Sequence, residues 1–122
     1  MSRARVLLLE DDMALRGLLH EALVAEDFDV LGFENVEDLR AAAADGGGDI
    51  IVADFWGGGQ RTLLDSDRQE IQDLARMLPM ILLTGRIWAA ETSADELGAR
   101  ALIRKPFDLD DLLQTVEQIV QS

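Results

Sequence analysis

Four short apolar runs recur along the chain, and each gives way to a polar residue that breaks it. Val6-Leu7-Leu8-Leu9 runs into Glu10-Asp11-Asp12, and Ile50-Ile51-Val52-Ala53 runs into Asp54. Met80-Ile81-Leu82-Leu83 ends in Thr84-Gly85, and Ala101-Leu102-Ile103 is soon followed by Lys105-Pro106-Phe107. The four runs, short, unbroken and apolar, are the pattern of strands buried on both faces. Phe28-Asp29-Val30-Leu31, interrupted by an acid, reads as a further short strand.

Between them lie stretches of helical period. Leu15, Leu18, Leu19, Ala22 and Leu23 form an i, i+3, i+4, i+7, i+8 stripe. Asn35 is placed to cap a helix carrying Val36, Leu39, Ala42 and Ala43, which Gly46-Gly47-Gly48 ends in a flexible turn. Ile71, Leu74, Ala75 and Leu78 mark a third helix, closed by Pro79, with Thr62, Asp65 or Ser66 as its cap. A fourth helical segment lies in Ile87–Leu97 with Trp88, Ala94 and Leu97 as core candidates; Ser93 to Glu96 matches a capping box, which leaves the helix only partly formed before it, and Gly98 suits the residue after its end. Asp108 caps a last helix with the stripe Leu109, Leu112, Leu113, Val116, Ile119 and Val120. Strictly alternating strands and helices predict one α/β domain over residues 1–122. Its sheet is five-stranded, parallel and doubly wound, with helices on both faces.

Composition narrows the chemistry. The chain of 122 residues has no Cys and one His, so disulfides, thiolate metal sites, thiol nucleophiles and histidine-based triads are excluded. His20 lies off its helix stripe and is expected at the surface. The net charge of −13 disfavours direct binding to nucleic acid or to anionic membranes and suits a cation or a basic partner. No apolar run approaches the roughly 20 residues of a membrane span or the 7–15 of a signal peptide, so the expected location is the cytoplasm. Lys105 is the only lysine in the chain.

In an open parallel sheet, ligands bind beyond the carboxyl ends of the strands. Glu10, Asp11 and Asp12 follow the first strand, Asp54 the third, Thr84 the fourth, and Lys105 the fifth. Two or three carboxylates at one rim make an oxygen site suited to Mg²⁺. A hydroxyl and an ammonium beside them suit an anion. Metal, ammonium and hydroxyl around one carboxylate point to a phosphoryl group carried on it, with Asp54 as nucleophile. Asp12 reads better as the start of the first helix than as a ligand.

These residues together resemble the receiver domain of two-component response regulators. Leu7 to Arg16 is similar to that family's acid pair and following Leu-Arg; Ile51-Val-Ala-Asp54 to its phosphoacceptor strand; Ile81-Leu-Leu-Thr84-Gly85 to its switch motif; and Lys105-Pro-Phe107 to its Lys-Pro-aromatic turn. Spacings of 43, 30 and 21 residues separate Asp11, Asp54, Thr84 and Lys105 in turn. The resemblance spans about Arg5 to Val120. It implies a flavodoxin-like (βα)5 receiver fold and Mg²⁺ held by Glu10, Asp11, Asp54 and the backbone carbonyl of Trp56. It also implies phosphoryl transfer onto Asp54 from a phosphohistidine on a sensor histidine kinase or phosphotransfer protein. Thr84, shifting inward on activation, and Lys105 would contact the phosphate, and a homodimer or partner face would lie along helix four and strand five.

Three positions depart from the family pattern. Phe55-Trp56-Gly57-Gly58-Gly59-Gln60 replaces the usual loop, with Trp56 expected to shield the phosphoryl group. Leu102 stands where an aromatic switch residue is common, and Arg86 where small residues are. These departures keep open a phosphorylation-independent interaction module. A phosphatase with an Asp nucleophile would need a second Asp at position 56, where Trp stands.

Overall fold

The computed structural model describes residues 4–56, 64–84 and 93–121. Strands β1 (Arg5–Glu10), β2 (Asp29–Phe33), β3 (Ile50–Asp54), β4 (Met80–Thr84) and β5 (Ala101–Arg104) form one parallel sheet in the order β2-β1-β3-β4-β5. Helices α1 (Met13–Ala25), α2 (Val36–Ala44), α3 (Asp65–Met77), α4 (Ala94–Leu97) and α5 (Leu109–Gln121) connect and follow the strands. The expected α/β architecture is present.

Strand alternation divides the interior into two cores. Val6, Leu8, Ile50, Val52, Ile81 and Leu83 face Leu19 and Leu23 of α1 and Leu112 and Val116 of α5. Leu7, Leu9, Ile51, Ala53, Met80 and Leu82 face residues of α2, α3 and α4 on the other side. The inner strands β1, β3 and β4 are buried along almost their whole length, which is why they are nearly continuous in aliphatic residues. β2 is an edge strand, and Leu31 on it is exposed.

Several local readings hold. Asp12 caps α1 by accepting from the Leu15 N–H, Asn35 caps α2 through the Asp38 N–H, and Ser93 caps α4 through the Glu96 N–H. Asp108 takes the same place before α5, with Oδ1 accepting from the Asp110 N–H. Gly98 adopts the left-handed conformation at φ 77°.

Others are corrected. α3 starts after Leu64 with no side-chain cap, and Asp65 and Ser66 lie inside the helix. Its first turn carries Asp65 and Asp67, whose charges favour the positive end of the helix dipole without a cap. Leu18, assigned to the buried stripe of α1, is half-exposed because the sheet meets the helix along Leu19 and Leu23. The expected cap Thr62, the glycines Gly57-Gly58-Gly59, and Gly85, Arg86 and Trp88 lie outside the described residues. Of the fourth predicted helix, Ala94–Leu97 is described as helical. Among the described residues no helix is long and apolar enough to cross a membrane.

Candidate functional site

The strand order reverses direction between β1 and β3, and a crevice opens beyond their carboxyl ends at such a reversal. Register then decides which side chains meet. Glu10 and Asp54 are direct partners across the β1–β3 ladder. Adjacent strands lie about 4.8 Å apart, so the two carboxyls are forced into proximity. Both are buried, and both follow the alternation that places Val6, Leu8, Ile50 and Val52 on the α1/α5 side. Here the strands outrun the apolar core, and a polar cavity of about 310 Å³ is lined by Glu10, Asp11, Asp12, Leu15, Asp54 and Lys105.

Each side chain is held by its surroundings. Lys105 follows β5, its N–H donates to the Thr84 carbonyl at 2.8 Å, and its ammonium pairs with Asp54 Oδ2. The Lys105–Pro106 peptide bond is cis. Glu10 Oε1 accepts from the Asp12 N–H at 3.0 Å, which ties the acid to the start of α1. Arg16 reaches back from α1 and donates from Nη1 to the Glu10 carbonyl at 2.7 Å. Its methylenes lie over Gly32 of β2, where an added Cβ would sit 3.3 Å from Arg16 Cδ.

The electrostatics of the cavity suit a cation. With both carboxyls ionised, neither Glu10 Oε2 nor Asp54 Oδ2 has an aligned hydrogen-bond donor among the described residues; Lys105 offers Asp54 only an ion pair. Burial pushes the Glu10 carboxyl from its ordinary 4.5 up to about 8, helped by the hydrogen bond and charge of Asp54 and opposed by the Asp12 N–H. An orphaned buried carboxylate oxygen beside a second carboxylate fits a hard divalent cation. Among the described residues no three acidic or histidine side chains converge into a ready-made metal cage. The donor set fits Mg²⁺ because that ion keeps several waters and needs only one or two carboxylates from the protein.

This gives a pH prediction with a definite sign. Because the folded-state value of Glu10 lies above 4.5, the metal-free protein holds a proton that the unfolded chain releases between 4.5 and about 8. The contribution of Glu10 to stability is therefore complete below 4.5 and is lost as pH rises through about 8. In EDTA, thermal unfolding should show Glu10→Gln gaining on the wild type between pH 5 and pH 8 by up to a few kcal/mol. Parallel profiles for the two proteins would contradict this assignment.

The structure also separates residues that the sequence grouped. Glu10, Asp11, Asp54 and Lys105 meet in one cavity, while Thr84 does not line it. Thr84 is buried at the end of β4, and alternation puts it in the set of Met80 and Leu82 on the α2–α4 side. Leu102, paired in register with Leu82, packs half-buried against that same core. Trp56 corrects a sequence expectation. Its ring is 5% exposed in the α2–α4 core, on the opposite side of the sheet from the Asp54 carboxylate, so it is not a shield over Asp54. There it stacks edge-on against Phe55, with ring centroids 5.7 Å apart, and its Nε1–H donates to Glu70 Oε1 at 2.7 Å. His20 is exposed, as expected. The sequence reading missed Glu70 altogether, and no motif marks it. Arg16 appeared in the family resemblance only as half of a Leu-Arg pair.

Comparison with known proteins agrees with this architecture. No family model matches the chain. The solved receiver domain of NtrX from Brucella abortus superposes with a TM-score of 0.77 at 22% identity, over 96% of this chain and 98% of that one. The chemotaxis response regulator CheY4 of Vibrio cholerae gives 0.71 at 19% identity, over 95% and 98%. At these identities the match defines the class of fold, that of CheY-like receivers. Sequence relatives go further. The DNA-binding transcriptional regulator NtrC of Azospirillum brasilense is 33% identical over 123 residues, and that of Salmonella typhimurium is 31% identical over 121. The alignments take in 100% and 98% of this chain, which spans 25% of the length of each regulator. The chain belongs to the receiver domains of two-component response regulators, which are signalling domains.

Proposed function

We propose that this domain accepts a phosphoryl group on Asp54 in a Mg²⁺-dependent reaction and changes its affinity for a partner as a result. The observation that carries the reading is the Glu10–Asp54 register pair, buried beside the Lys105 ammonium and short of hydrogen-bond donors. The donor is a phosphohistidine on a sensor histidine kinase or a histidine phosphotransfer protein. An Asp54 carboxylate oxygen forms a bond to phosphorus as the P–N bond to imidazole breaks, and the released imidazole takes up a proton. Catalysis on this side is positioning and charge neutralisation rather than proton transfer.

Each residue has a role in that reaction. Asp11 and Asp54 would hold Mg²⁺ directly, with Glu10 acting through water and the Trp56 backbone carbonyl completing the protein's share; when bound, the ion would supply charge neutralisation for the phosphoryl oxygens. Lys105, already paired with Asp54, follows the negative charge from the carboxylate to the phosphoryl group. Thr84 is buried at the end of β4 and does not line the acid cavity, so its contact with phosphate requires an inward shift there. Strand five and helix four form the partner or dimer face. The domain is not otherwise an enzyme, and binding of nucleic acid or membrane is no part of its own action. Residues 1–122 form one receiver domain, which acts in the cytoplasm.

Phosphoramidate carries the same P–N bond as phosphohistidine and tests the reaction without a kinase. With Mg²⁺ the protein should take up a phosphoryl group that hydroxylamine removes, and EDTA should stop the uptake. Uptake that continues in EDTA would contradict the metal's role.

A further inference from the structure

The turn that leaves β3 is tied to α3 by a contact that the phosphoacceptor chemistry has not used. Trp56 follows Asp54 by two residues, so its Cα lies within about 7 Å of that of Asp54. Its indole is 5% exposed, and the Nε1–H donates to the carboxylate Oε1 of Glu70 at 2.7 Å. A buried indole N–H requires a partner, and a carboxylate is a strong one, particularly away from water. Glu70 stands on a fixed base, because the next residue, Ile71, and Leu74 of α3 are fully buried in the same core. The bond joins residues 14 apart in sequence. The ring lies on the face of the sheet opposite the Asp54 carboxylate, so anchoring it acts on the backbone of residue 56, not by covering the acid.

We infer that Glu70 is a positioning residue for the metal-binding rim. It holds the indole of Trp56 and thereby fixes the backbone carbonyl that the proposed function assigns to Mg²⁺. The inference rests on that reading. Removing the Glu70 carboxylate leaves a buried N–H unpaired, and relief comes by turning the indole toward water, which moves the same backbone.

Isothermal titration of Mg²⁺ at 25 °C into the wild type, Glu70→Ala, Glu70→Gln, Trp56→Phe and the Trp56→Phe/Glu70→Ala double variant tests it, with thermal unfolding on the same samples. Loss of an outer partner of a metal ligand weakens binding by roughly tenfold, expected for Glu70→Ala and for Trp56→Phe. The double variant should bind no more weakly than either single one, because both remove the same bond. Glu70→Gln keeps an acceptor oxygen and should bind within about twofold of the wild type. Glu70→Ala and Trp56→Phe that bind Mg²⁺ as the wild type does, with only a lowered Tm, would overturn the inference and leave the proposed function standing. A wild type that binds no Mg²⁺ overturns both. Should Glu70→Ala fail to fold, Trp56→Phe decides, since it removes the donor while an aromatic ring still fills most of the core position, and thermal unfolding reads the packing loss separately.

Discussion

Replacing Lys105 with Ala will slow phosphoryl uptake by roughly 10²–10³-fold, the usual effect of removing one preorganised charge-stabilising group. Lys105 is the chain's only lysine, and its ammonium is the cation paired with Asp54. Arg is a poor replacement despite its charge. Its planar fork is broader than an ammonium and cannot act as a compact point charge in a cavity of about 310 Å³ shared with three other acids. The same variant separates metal-free from metal-bound stability. Without Lys105, Glu10 and Asp54 face each other with no cation between them. In EDTA the variant should lose more stability at pH 8 than at pH 5, and Mg²⁺ should narrow the difference. Initial rates from acetyl phosphate and thermal unfolding with and without Mg²⁺ are the measurements. Uptake at the wild-type rate would remove Lys105 from the site.

The second large effect concerns the frame rather than the chemistry. A Cβ added at Gly48 would lie 2.5 Å from Leu7 Cγ and 2.9 Å from each of its methyls. Leu7 is fully buried on β1, the strand that carries Glu10, so it cannot move aside cheaply. Gly48→Ala should cost about 3 kcal/mol, or roughly 10–15 °C in Tm. Gly17 makes the contrast. A Cβ there meets nothing within 4 Å, and the position is exposed inside α1. Gly17→Ala should therefore stabilise by about 1 kcal/mol through helix propensity. Differential scanning calorimetry on both variants reads the opposite signs. A neutral Gly48→Ala would mean that the turn into β3 can shift away from Leu7.

These glycines show which parts of the structure were legible in sequence. Whatever depends on local pattern was readable. The aliphatic runs of β1, β3 and β4 are unbroken because both faces of those strands are covered. Asp12, Asn35 and Ser93 bond to N–H groups three residues on, a relation that spacing alone predicts. The acid pair and Lys105 were readable because a doubly wound sheet brings its strand ends to one rim, and that rule needs no side-chain detail.

Whatever depends on which way a side chain turns in three dimensions was not readable. Gly46-Gly47-Gly48 looks like a flexible turn, yet Gly48 is a close approach to Leu7, and Leu7 is 41 residues away in sequence. Leu18 fits the helical stripe, but the actual line of contact runs through Leu19 and Leu23. Trp56 stands two residues beyond the acceptor Asp, where sequence suggests a cover for the site. The α2–α4 core and Glu70 draw its ring to the other face instead. Each of these is a packing outcome that tertiary structure decides after local propensity has been satisfied.

The central claim is that Asp54 carries the phosphoryl group. The direct measurement is intact mass after incubation with acetyl phosphate and Mg²⁺, on the wild type and on Asp54→Ala. The account predicts one added phosphoryl group on the wild type and none on the variant. Equal uptake by Asp54→Ala, or none by the wild type from either acetyl phosphate or phosphoramidate, would contradict it and leave the domain as an interaction module that works without phosphorylation.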